Sequence, residues 1–114
     1  MEERILISTK KGLGLPEGDE AFDLDVITFI NSAFSTLDQV GVGPTGGFYI
    51  TGPDELWPDL NVPDNQLNVV RTYLFLKVKL LFDPPNTSYV LKAFETQLEE
   101  YLWRLATFVE TESA

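Results

Sequence analysis

The run from Leu67 to Pro85, LNVVRTYLFLKVKLLFDPP, limits the possible folds of this chain more than any other segment. At about 100° per residue, Val69, Tyr73, Leu76 and Leu80 fall on one stripe of a helix. Leu67, Val70, Leu74, Val78 and Leu81 fall on the adjoining stripe. Together they cover roughly 200° of the circumference, wider than the stripe of an ordinary surface helix. Asn68, Thr72, Lys79 and Asp83 mark the wet side, flanked by Phe75 and Phe82. Pro84 stops the helix and pushes Asp83 out of the helical region.

So wide an apolar arc in a chain of 114 residues has two readings. In one, it is the central helix of a monomeric bundle. In the other, part of it packs against copies of the same chain, which points to an assembly subunit and away from an enzyme. Composition sets the frame for both. This length predicts a single domain spanning 1–114, and 44% apolar residues supply a core. The chain has no cysteine, which excludes disulfides and thiolate metal sites. Lys77 and Lys79 interrupt the longest apolar run, so no membrane span is expected. The charged start MEERILISTKK lacks a signal-peptide core, which predicts a protein that stays in the cytoplasm where it is made.

Charge is strongly uneven. There are 8 basic and 18 acidic residues, a net charge of −10. No basic residue lies between Lys11 and Arg71. That interval holds Glu17, Asp19, Glu20, Asp23, Asp25, Asp38, Asp54, Glu55, Asp59 and Asp64. A protein that grips phosphates needs the opposite sign. The acids serve solubility, or they form a surface that lets DNA pass without sticking.

The predicted fold is all-α, a small bundle of about four helices. The first lies within Glu3 to Lys11 and ends near Gly12 and Gly14. The second runs from about Asp23 to Val40, with Ile27, Ile30, Ala33, Phe34 and Leu37 at helical spacing, and stops at Gly41 and Gly43. The third is the wide helix, with Asp64 or Asn65 as its N-cap. The fourth starts near Asn86 to Ser88 and runs to about Val109 on a stripe of Leu91, Phe94, Leu98, Leu102 and Leu105. A polar tail, 110–114, follows. A long loop, about 41–64, separates the second and third helices, with Phe48, Tyr49 and Ile50 as a short strand in it. Leu56, Trp57 and Leu60 either fold back onto the core or meet a partner.

Catalytic motifs are scarce. Gly41-Val42-Gly43-Pro44-Thr45-Gly46 matches a dinucleotide loop by letter only, because it follows a helix instead of a strand. Without histidine there is no Ser-His-Asp triad and no histidine metal site. Asp23/Asp25 and Asp54/Glu55 lack calcium-loop spacing and read as solvated acids. No catalytic, cofactor or metal residue is assigned. Two residues break the local pattern instead. Lys77 projects into the apolar arc, either laying its stem along it or pairing with Asp25, Glu95 or Glu99. Trp103 projects among Lys92, Thr96, Glu99 and Thr107 on the wet side of the fourth helix, as a partner-contact candidate or a tryptophan covered by another segment.

The segments ILISTKKGLGL, FDLDVITFINSAFSTLDQVGVGP and TYLFLKVKLLFDPPNTSYVLKAFETQLEEYLWRL resemble the small head-tail connector proteins of long-tailed DNA phages. These are also called adaptor or head-completion proteins. The similarity runs from about Ile5 to Leu105, and LLFDPP before a long amphipathic helix is its most specific part. The resemblance implies a helical, non-enzymatic virion subunit at the head-tail interface, with no cofactor. It implies a homo-oligomeric ring under the portal, twelve-fold in the virion, with a tail-side connector or stopper protein below and DNA passing through without sequence-specific binding. On that reading Tyr73, Phe75, Lys77, Trp103 and Trp57 are the interface candidates. Asp54, Glu55 and Asp59 are the candidate channel acids. Two other classes compete: a small acidic regulator or DNA mimic that binds a basic partner, and a small enzyme built on paired carboxylates.

Overall fold

A computed structural model describes residues 2–113. The elements are α1 (Ile5–Gly12), α2 (Asp23–Gln39), a one-turn 3₁₀ helix (Trp57–Leu60), α3 (Asp64–Phe82) and α4 (Ser88–Ser113). The all-α architecture matches the expectation from sequence. α3 is the central helix. α2 packs on one side of it and α4 on the other, while α1 packs on α2. Phe22 before α2 meets Phe82 at the end of α3, so α2 and α3 run antiparallel. Val109 of α4 lies beside Pro63 and Gln66 at the start of α3, so α4 is antiparallel to α3 as well.

This arrangement explains the width of the arc on α3. Val70, Tyr73, Leu74 and Val78 are buried, and Leu67, Val69, Leu76 and Leu80 pack around them. Two helices, one on each side, cover most of what a single partner would leave bare. Each such buried side chain contributes about 1.5–3 kcal/mol. Much of the arc therefore serves the subunit's own core, as the bundle reading required.

The helix ends follow local chemistry. α1 and α2 stop in the same way, with glycine in the left-handed region just past the end: Gly14 at φ 81° and Gly41 at φ 87°. In each, two amides turn back on the last turn. Leu15 N donates to the Lys10 carbonyl at 2.9 Å, and Val42 N donates to the Leu37 carbonyl at 3.0 Å. Neither Asp64 nor Asn65 caps α3. Pro63 holds that position, and its carbonyl receives the Gln66 and Leu67 amides. Asp64 lies in the first turn, where the helix dipole favours an acid. Thr87 Oγ1 accepts the Val90 amide and caps α4. α4 continues to Ser113, past the end expected near Val109, so most of the predicted tail is helix and Ala114 lies outside the described residues.

The long loop is tied down rather than free. Phe48–Ile50 forms no strand. Instead the Asn31 side chain clamps Ile50: Oδ1 accepts the Ile50 amide at 2.8 Å and Nδ2 donates to the Ile50 carbonyl at 2.9 Å. One side chain thus takes the place of a strand partner. Phe48 packs edge-on against Phe34, with centroids 5.2 Å apart. The extended pairing lies elsewhere, as a single antiparallel bridge between Arg4 and Leu56. Ile5 N donates to the Glu55 carbonyl, and Trp57 N to the Glu3 carbonyl.

Candidate interaction surface

Each candidate side chain takes its place from the element that carries it. Trp57 stands at the start of the 3₁₀ turn and points inward, 4% exposed. Its Nε1 donates to Ser8 Oγ at 3.0 Å, and the Arg71 guanidinium lies 5.2 Å from its ring centre. It is therefore a core residue that fastens the loop to α1, and not a surface contact. Tyr73 is also buried, at the middle of α3. Burial pushes its phenol above the ordinary value, and the Thr36 hydroxyl beside it pulls the other way. Phe75 is half-buried beneath α1, where Gly12 approaches it so closely that an added Cβ would lie 2.5 Å from the ring. Within the subunit Trp57 and Tyr73 are thus largely covered and Phe75 partly covered, with Tyr73 also lining the groove between α2 and α4.

Lys77 and Trp103 behave differently. Lys77 forms no ion pair among the described residues, so none of Asp25, Glu95 and Glu99 neutralises it. It lines a groove of about 280 Å³ between α2 and α4, with α3 as the floor. Tyr73, Leu80, Leu98 and Leu102 supply the apolar lining, Thr36 the α2 wall, and Glu95 and Glu99 the α4 rim. The groove exists because α2 and α4 pack on α3 rather than on each other. Trp103 points outward from α4 with 68% of its surface exposed. Neither α1 nor the loop covers it. Tyr89 is likewise exposed near the start of α4.

The loop acids divide. Glu55 accepts the Thr51 amide at 2.8 Å, the Thr51 hydroxyl at 3.0 Å and the Gly52 amide. Burial pushes its carboxyl up, but these donors outweigh burial and hold it below the ordinary value. Asp59 Oδ2 accepts the Leu56 amide at 2.9 Å and closes the 3₁₀ turn. Both therefore brace their own loop, whereas Asp54 is exposed.

Two organising residues were not singled out from sequence. Lys10 is 1% exposed, its amine 2.7 Å from Asp23 Oδ1 and donating to the Glu17 and Asp19 carbonyls. It stitches the turn after α1 to the start of α2. Asn31 is the other. Its only local signal is an amide among apolar neighbours, and nothing nearby in sequence identifies its partner. At the N-terminus, Arg4 pairs with Glu2 at 2.8 Å and Glu17 at 3.2 Å.

The described residues thus form a helical fold with an open groove, an outward tryptophan and a self-braced loop. The model of the phage connector protein family matches residues 5–112, nearly the whole chain. The chain belongs to this family, a family of phage structural proteins whose role lies in the virion. No curated protein and no solved structure matches it. Among the described residues, no helix is long and apolar enough to cross a membrane.

Proposed function

We propose that this protein is a head-to-tail connector that forms a ring beneath the portal and joins the DNA-filled head to the tail. The observation that carries the reading is the family match over residues 5–112. Two features of the subunit support it. The groove and the exposed Trp103, one helical turn beyond its Glu99 rim, are two features with which a ring subunit can meet its neighbours. The acidic interval suits a passage through which DNA slides, because carboxylates repel phosphates. Within the loop Asp54 is the candidate channel acid, since Glu55 and Asp59 are engaged locally.

Co-sedimentation with purified portal tests this function. A connector travels with the portal in a fixed ratio. A chain that stays in the supernatant at every salt concentration is not one. Asp54→Lys tests the channel role: rings form, but particles retain DNA on ejection. Normal infectivity of Asp54→Lys particles removes that role for the loop.

A further inference from the structure

The groove between α2 and α4 has the chemistry that a tryptophan side chain requires. Leu80, Leu98 and Leu102 offer an apolar lining, and Lys77 offers an ammonium with no ion pair among the described residues. Glu95 and Glu99 on the rim offer acceptors for an indole N–H. A cation near an aromatic face is attractive, and tryptophan is its best partner. The subunit already uses this arrangement once. Trp57 is held by apolar packing, by Arg71 over its ring and by a hydroxyl on its N–H. The volume, about 280 Å³, is below the range of about 300–1,000 Å³ typical of small-molecule sites.

The chain has two tryptophans. Trp57 is buried, and Trp103 presents its side chain to solvent from α4. Trp103 does not line the groove of its own subunit. On α4, Leu98 and Leu102 face the groove; Trp103 is turned roughly 100° or more from them but only about 40° from Glu99, so it stands just outside the Glu99 rim. We propose that Trp103 of one copy inserts into the α2–α4 groove of the next, its ring against Lys77 and its N–H toward Glu95 or Glu99. The proposed contact is head-to-tail, not a mutual exchange of tryptophans across a two-fold axis. Each subunit gives one tryptophan and receives one, which closes into a ring when the rotation allows. This inference rests on the ring reading above and specifies the contact that builds it.

The absence of cysteine makes the test direct. Thr36→Cys places a thiol on the groove wall, and Thr107→Cys places one a turn beyond Trp103 while keeping the tryptophan. The protein is assembled with portal and treated with a short bismaleimide. The double variant gives a ladder of linked multimers, and each single variant stays monomeric. Adding Trp103→Ala abolishes the ladder and weakens association about 30-fold, whereas Trp103→Phe restores part of it. Lys77→Glu weakens assembly in the same way and reports independently of any change at Trp103. Linking by Thr107→Cys alone shows α4 paired with α4 and overturns the inference. Intact rings in both Trp103→Ala and Lys77→Glu also overturn it and leave the ring reading standing. Failure of the unaltered chain to assemble on portal removes both.

Discussion

Replacing Asn31 with alanine isolates the device that shapes the long loop. The side chain makes two bonds to Ile50, at 2.8 and 2.9 Å, and Ile50 itself is fully buried. Each hydrogen bond contributes about 1 kcal/mol net, and an unsatisfied buried group costs about 1–3 kcal/mol. The Asn31 site is half-buried, so water reaches the freed groups and the lower end applies, about 2 kcal/mol for the pair. Unfolding entropy near 2.1 cal/mol/K per residue is roughly 0.24 kcal/mol/K for this chain, so Tm falls by about 8 °C. Asn31→Asp keeps an acceptor for the Ile50 amide but turns a carboxylate oxygen toward the Ile50 carbonyl. It costs at least as much. Thermal unfolding followed by circular dichroism reads both, and amide exchange at Ile50 localises the effect. A Tm within about 2 °C of the unaltered protein for Asn31→Ala refutes the clamp, since two lost bonds cannot be so cheap.

Lys10→Met leaves the Glu17 and Asp19 carbonyls and the Asp23 carboxylate without their shared donor. Stability in urea should fall by about 3 kcal/mol, and a loss below about 1 kcal/mol would show that the turn holds without it. Acid acts on the N-terminal clasp. The Arg4 guanidinium and then its amide hold the Glu2 carboxyl at about 2, against an ordinary 4.5. A depressed carboxylate stabilises the fold above its unfolded value and loses that contribution as pH falls through its folded value. The clasp should therefore hold at pH 4.5 and open as pH approaches about 2, read by exchange at the Arg4 amide. An amide equally protected at both ends of that window contradicts the assignment.

Helices were legible because their signals are local. The stripe Val70, Leu74, Val78 and the stop at Asp83-Pro84-Pro85 lie within one segment, and so do the glycines that end α1 and α2. What covers a stripe is not local. The arc on α3 is wide enough to suggest a partner, and much of its width serves two helices of the same chain, while Lys77 and Leu80 still line an open groove. The loop failed for the same reason. Phe48–Ile50 has strand composition, but its partner is a side chain 19 residues earlier. The two tryptophans show where periodicity helps. Trp103 sits inside a helix, so its outward direction followed from spacing. Trp57 sits in a loop, where no period applies, and its inward direction came from the bridge between Arg4 and Leu56. Lys10 read as a charged helix end because sequence does not reveal that two carbonyls and a carboxylate converge on it.

The mass of the particle that this chain forms on purified portal, measured by native mass spectrometry and imaged end-on by electron microscopy, tests the central claim. The account predicts a closed ring of identical subunits stacked coaxially on the portal with an open channel. Monomers alone, or open filaments in place of closed rings, would contradict it.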